Sequence, residues 1–188
     1  MVNHAFQDNA LAQWSAVNGA QLAFVNGNGI SSQIPYSASI APGGAGIGIQ
    51  NPGWAGGIGV QAVKYDSFFY AKADSAVTLP IKAGIYNSNT EIASNTINAG
   101  LTTQWQRFAT SFTSTQTSNG GSNYKITLPN GSSTKVYIAY ASLTAPFWNG
   151  QPLRSDIAQA YADLKPAYVR TPGGNDVEGN NQASRYRW

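Results

Sequence analysis

TKVYIAYAS, residues 134–142, alternates Val136, Ile138 and Tyr140 against Tyr137, Ala139 and Ala141. A side-chain period of two belongs to a strand, and a one-residue slip would carry every apolar group to the opposite face. The same period recurs in TLPIKAGIY (78–86), with Ile81, Ala83 and Ile85 on one face and Lys82 and Tyr86 on the other. Just before the opening stretch, LPNGSSTK (128–135) carries Asn130-Gly131. That dipeptide accepts positive φ easily and predicts a tight hairpin joining YKITL (124–128) to KVYIAY (135–140). TSNGGSN (117–123) reads as a further loop, and APGGAG (41–46) and NPGWAGG (51–57) punctuate the first half. From Leu22 to Ser142 about ten short strands at this spacing, with no helix between them, predict an all-β, jelly-roll β-sandwich.

After Thr144 the pattern changes. APFWNGQPLR (145–154) reads as a Pro-containing linker, and SDIAQAYADLKP (155–166) as a helix. Ser155 or Asp156 caps it, Ile157, Tyr161 and Leu164 recur at i, i+4 and i+7, and Pro166 stops it. AYVR (167–170) then extends as a strand and TPGGN (171–175) turns. The expected organisation is a sandwich over residues 1–145, followed over 146–188 by a linker and a helix-strand-loop appendage. One helix and one strand cannot bury two apolar faces alone, so they must pack on something else.

The bulk properties exclude several classes. At 188 residues the chain suits one domain plus an appendage and is too short for a β/α barrel of about 250 residues. Charged residues are 10% of the chain against a usual ~25%. The net charge of +3 comes from 11 bases and 8 acids, so the basic pI reflects scarce acids. No face interleaves Lys or Arg with aromatics, and nucleic-acid binding is not expected. No apolar run reaches the ~20 residues of a membrane span, and MVNHAFQDNA lacks the apolar stretch of a signal peptide. An extracellular or cell-wall location follows if Met1 replaces a removed signal, and a cytoplasmic one if Met1 is native. There is no cysteine, and therefore no disulfide framework.

Four segments resemble the fungal-type α-L-arabinofuranosidases of glycoside hydrolase family 51. They are NHAFQ (3–7), with His4 where the family usually has Arg, YDSFFYAKA (65–73), QWQRFATSFT (104–113) and LRSDIAQAYADLKPAYVRTPGGNDVEGN (153–180). The last is long and specific, though Thr171 stands where the family has Phe. The resemblance implies an internal slice of such an enzyme: a carbohydrate-binding-module-like jelly roll inserted early in a β/α barrel, plus one helix and strand of that barrel. It implies that the two catalytic glutamates lie on later barrel strands, beyond this chain. No enzymatic activity is then expected, because a retaining glycosidase needs two carboxyl groups about 5–5.5 Å apart. Asp176 and Glu178 are close in sequence, but they read as solvated loop acids. The Asn of the Gly-Gly-Asn loop lines a sugar subsite in the family and corresponds to Asn175.

A glycan or polysaccharide is the expected partner. Sugars present apolar C–H faces and hydroxyl edges, which suit exposed rings rimmed by amides and hydroxyls. Trp54 lies in a turn where a large ring has little local cover, and Trp105 shares its strand side with Arg107, opposite Phe108 and Phe112. Trp54, Trp105, Arg107 and Asn175 are therefore the candidate carbohydrate-binding residues, each weighed against plain packing. Tyr65, Phe68, Phe69 and Tyr70 read as core and cross-strand packing. His4, the single histidine, lacks a partner at catalytic or metal-binding spacing. No cofactor is expected beyond a structural calcium, for which Asp8, Asp66 or Asp74 with backbone carbonyls would serve. The expected function is a non-catalytic, lectin-like protein derived from an arabinofuranosidase accessory domain. The alternatives are an inactive arabinofuranosidase fragment and a self-assembling structural protein. A homo-oligomer is expected, since an apolar helix and strand edge favour self-association.

Overall fold

The computed structural model describes residues 3–54, 56–149, 151–165 and 167–168. They fall into two units, one ending at Pro146 and the other beginning at Phe147. The first unit contains eleven strands: β1 Ser15–Val17, β2 Leu22–Asn26, β3 Tyr36–Ile40, β4 Ile47–Asn51, β5 Ile58–Val60, β6 Lys64–Ala73, β7 Val77–Asn87, β8 Thr90–Leu101, β9 Gln106–Thr113, β10 Ser118–Leu128 and β11 Val136–Thr144. They form two antiparallel sheets. Sheet one runs β1-β4-β10-β7-β8, with β5 also on β10, and sheet two runs β2-β3-β11-β6-β9. The chain passes between the sheets at most connections, as a jelly roll requires.

Alternation explains which side chains fill the sandwich. From sheet one Ile49, Ile81, Ala83, Ile126 and Leu128 are fully buried, and from sheet two Ile40, Phe69, Ala71, Val136 and Ile138 meet them. Phe6 and Trp14 enter from the segment before β1, and the Trp14 indole donates to the Asn3 carbonyl at 2.9 Å. Ser67 and Tyr124 are the polar pair among these groups. Their hydroxyls lie 2.6 Å apart between the sheets, each satisfying the other.

Three local expectations are corrected. Asn130-Gly131 does turn, with Gly131 at φ 72° and its N–H on the Leu128 carbonyl. It does not form a hairpin, because β10 belongs to sheet one and β11 to sheet two. Ile126 and Leu128 face the core from one side and Val136 and Ile138 from the other, so the intervening residues must cross the ~10 Å between sheets. TSNGGSN is not a loop but the start of β10. Gly120 and Gly121 take positive φ there, the register against β5 shifts, and a Cβ on Gly57 would meet the Gly121 nitrogen at 2.5 Å. Two backbones touch at that point, which only glycine permits.

The third correction concerns Tyr140. Register against β6 steps from Ala139↔Tyr70 to Ser142↔Phe68, three residues against two, so β11 carries a bulge. Tyr140 adopts φ 43° within it. Past the bulge the alternation reverses: Ala141 joins the core, Leu143 packs against it, and Tyr140 leaves the face of Val136 and Ile138 for the outer surface.

In the second unit the expected linker holds a short antiparallel ladder, β12 Phe147–Trp148 with β13 Gln151–Arg154. This leads directly into α1 Ser155–Asp163, with Asp156 in the first turn where the helix dipole favours an acid. Trp148 donates its indole N–H to Gln159 Oε1 at 3.4 Å, and Ile157, Tyr161 and Leu164 are exposed. Ala167 and Tyr168 lie outside any strand, while the rest of the expected strand, the TPGGN loop and Asn175 lie outside the described residues.

Tyr124→Phe leaves the Ser67 hydroxyl unpaired in the core and should cost about 1–3 kcal/mol. In urea unfolding the midpoint falls with the slope unchanged. Adding Ser67→Ala should recover part of the loss, giving a non-zero coupling energy in the double-mutant cycle.

Candidate functional site

The outward surface of sheet two is built by the residues that alternation sends away from the core. On β6 these are Asp66, Phe68, Tyr70 and Lys72, and on β9 they are Arg107, Ala109 and Ser111, since Phe69 and Phe112 point inward. The bulge adds Tyr140 from β11. Its ring stacks on Phe68 at 5.8 Å between centroids and meets the His4 ring in a T-shaped contact at 5.0 Å. The Arg107 guanidinium lies 4.4 Å from the Phe68 centroid. His4, Tyr140, Phe68 and Arg107 thus form one continuous row of rings ending in a cation.

Beside Phe68 and Arg107 the surface hollows to about 390 Å³, lined by Asp66, Ala109, Ser111 and Thr144 among others. Asp66 is held 3.6 Å from Lys64. Among the described residues the Arg107 guanidinium has neither a carboxylate nor a hydrogen-bond acceptor.

Trp105, just before β9, sits at the other end of this face. Lys72 Nζ lies 5.2 Å from its ring and 5.4 Å from that of Tyr137, and it donates to Asn28 Oδ1. Tyr137 donates to Asp74 Oδ1 at 2.9 Å. Burial, with Asp74 beside it, pushes the Tyr137 hydroxyl above its ordinary pKa, so it stays a donor at neutral pH. The indole Nε1 of Trp105 and Oε1 of Gln106 are buried without a hydrogen-bond partner. Such groups are costly unless water or a ligand satisfies them.

Trp54 is 78% exposed, on the loop after β4. It does not share a site with Trp105. Its loop is tied to the start of β10 through Gly121 N–H and the Gly56 carbonyl, near the cluster of Val60, Tyr65, Ile85 and Phe112. Trp105 instead borders Lys72, seven residues along β6 from Tyr65 and roughly 23 Å away at strand rise. Trp105 and Arg107, named from the sequence, lie on this one face of sheet two, whereas Phe68, Tyr140 and His4 were not among the sequence candidates. The period of YDSFFYAKA separates Phe68 from Phe69 and could have exposed the first of these. The bulge that brings Tyr140 has no sequence signature of its own.

The outward face of sheet one carries a different kind of cluster. Glu91 accepts from Ser94, Lys82 and Tyr86, and the buried Lys125 donates to the Ser88 carbonyl at 2.8 Å beside the Tyr86 ring. Each of these charges is already partnered. A second hollow of about 430 Å³ near Asn130 and Val77 holds neither ring nor charge.

The calcium candidates are not brought together. Asp66 lies within β6 and Asp74 just past its end, eight residues or roughly 26 Å apart. Asp8 lies in the segment before β1, its N–H on Asn3 Oδ1. No group of three or more His, Cys, Asp or Glu able to hold a metal occurs among the described residues. No helix among them is long and apolar enough to cross a membrane.

No family model matches the chain. It is 26% identical over 186 residues to alpha-L-arabinofuranosidase A of Aspergillus kawachii, covering 95% of this chain and 30% of that protein. The arabinose-bound structure of MgGH51 α-L-arabinofuranosidase superposes with a TM-score of 0.75 at 26% identity, again over 95% of this chain and 30% of the other. The chain matches the family 51 α-L-arabinofuranosidases. A plant relative, alpha-L-arabinofuranosidase 2 of Arabidopsis thaliana, is 26% identical over 145 residues, 76% of this chain and 21% of its own. The chain therefore spans less than a third of the curated arabinofuranosidases it matches. Two further structures share the fold. One is a CBM4 structure, with a TM-score of 0.52 at 15% identity over 74% of this chain and 99% of the other. The other comprises the CBM22-1 and GH10 modules of Clostridium thermocellum xylanase 10B, complexed with xylohexaose, with a TM-score of 0.54 at 13% identity over 74% of this chain and 27% of the other.

Glu91 gives a pH test of the sheet-one cluster. The Ser94 hydrogen bond is the largest influence and holds its carboxyl below the ordinary carboxylate range; burial opposes it, and the hydrogen bonds from Lys82 and Tyr86 lower it further. A depressed folded pKa contributes stability above the unfolded value and loses it as pH falls through the folded one. Between pH 5 and pH 3 the Glu91→Gln variant should therefore lose less stability than wild type, as read from urea midpoints.

Proposed function

We propose that this chain is a non-catalytic, lectin-like carbohydrate-binding protein of the kind that accompanies arabinofuranosidases, acting outside the cell. Its binding surface is the outward face of sheet two. The observation that supports this is the His4–Tyr140–Phe68–Arg107 row beside an open hollow, with the unpartnered Trp105 indole on the same face. A sugar ring laid across such a face meets aromatic C–H contacts, and hydroxyls of Ser111 and Thr144 at its edge. Trp54 would serve as a separate stacking residue on its loop, and Asn175 as a sugar contact independent of this face.

Four of the six described carboxylates are engaged within the chain: Asp66 by Lys64, Asp74 by Tyr137, Glu91 by three donors and Asp163 by Gln159. The chain is expected to leave aryl α-L-arabinofuranosides intact over hours at micromolar protein.

Binding to a panel of arabinan, arabinoxylan, β-glucan and galactan, measured by affinity electrophoresis and calorimetry, tests the proposal. Phe68→Ala and Trp105→Ala should each weaken binding by about 3–10-fold, the worth of one aromatic contact, with thermal unfolding little changed. Retained affinity in both variants, with loss in Trp54→Ala, would move the site to the loop. A folded wild type that binds none of the four polymers would defeat the proposal.

A second reading, self-association, is supported by α1. Ile157, Tyr161 and Leu164 form an apolar stripe at i, i+4 and i+7, with exposures of 57%, 54% and 73%. Sedimentation equilibrium should show a dimer that Ile157→Lys with Leu164→Lys converts to monomer, and a wild-type monomer at 100 μM would exclude it.

A further inference from the structure

We infer that the hollow beside Arg107 takes a carboxylated sugar, a uronic acid unit within a plant polysaccharide. The inference rests on the glycan-binding reading above and specifies its ligand. Arg107 is the exposed cation lining the hollow, and its guanidinium carbon lies 4.4 Å from the centroid of the Phe68 ring. Among the described residues nothing accepts from it. A planar fork of donors held by a ring is the arrangement that grips a carboxylate through two parallel hydrogen bonds.

The surrounding charges agree. Asp66, the carboxylate lining the same hollow, is drawn to Lys64 at 3.6 Å, which offsets its repulsion of an anion. Lys72 lies two positions beyond Tyr70, the residue that pairs with Arg107, so the two cations are diagonal neighbours on one face. Lys72 is held by two rings and the neutral Asn28, with Asp74 engaged by Tyr137 beyond it. The outward face of sheet one differs, since Lys82 there already has Glu91 at 3.1 Å. A neutral sugar would use Phe68 and the hydroxyls of Ser111 and Thr144 but leave the Arg107 fork unmatched.

The experiment compares glucuronoarabinoxylan and polygalacturonate with the same polymers after reduction of their carboxyl groups, using calorimetry at low and moderate salt. Wild type should bind at least one carboxylated polymer about tenfold more tightly than its reduced form, the scale of a charge-assisted pair. The difference should narrow with salt. Arg107→Gln should remove the preference while retaining weaker binding to the reduced polymer. Lys82→Gln, the same charge change on the other sheet, should leave the preference intact. Equal affinity for both forms, unchanged in Arg107→Gln, overturns the inference and leaves glycan binding standing. A preference lost equally in Lys82→Gln assigns it to net charge and also overturns it. Absence of binding to carboxylated, reduced and neutral polymers alike overturns both readings.

Discussion

The bulge in β11 is the constraint on which the binding face depends. Strict alternation would keep Tyr140 on the face of Val136 and Ile138 and turn Ala141 and Leu143 to solvent. One extra residue reverses this. Ala141 closes the core, and the Tyr140 ring swings out to stack on Phe68. The N–H of Ala141 is taken up by the His4 carbonyl at 2.9 Å. The same short segment inserts Phe6, fully buried, and places the His4 ring against Tyr140. A single irregularity thus couples the N-terminal segment, the core and the outer ring row.

The two outward faces of the sandwich are built on opposite logic. On sheet one Glu91, Lys82, Tyr86, Ser94 and Lys125 satisfy one another or the backbone, and little is left for a partner. On sheet two rings cover rings, Arg107 stacks without an acceptor, and the Trp105 indole N–H is buried without a partner. Unmatched donors beside apolar surface are expensive in a free protein and useful in one that binds. The relation to the arabinofuranosidases fits this contrast, because the matched portion is 30% of the Aspergillus kawachii enzyme and carries a complete sandwich of its own.

Much of the fold was legible in the sequence, because period two survives wherever one face is buried, as in TLPIKAGIY, where Ile81, Ala83 and Ile85 all reach the core. The helix at 155–163 was equally legible from its cap and its i, i+4, i+7 spacing. The failures lie where local chemistry permits two outcomes. Asn130-Gly131 suits a turn within a sheet or between sheets, and only the facing of Leu128 and Val136 decides which. Gly120-Gly121 reads as a loop, although glycine also allows a bulged strand to meet another backbone. That Trp105 and Arg107 share one face was legible from their parity. Tyr140 was not, because its position depends on a register shift that no residue type announces.

The proposed binding surface is the outward face of sheet two. Amide and indole NMR spectra of the uniformly labelled chain, recorded during titration with oligosaccharides from the polymer it binds, test this directly. Binding there should shift the Trp105 indole N–H and the backbone amides of Phe68, Arg107 and Tyr140, with the amides of Lys82, Glu91 and Lys125 unmoved. Perturbations confined to the Trp54 loop or to sheet one, with Trp105 and Arg107 silent, would contradict it.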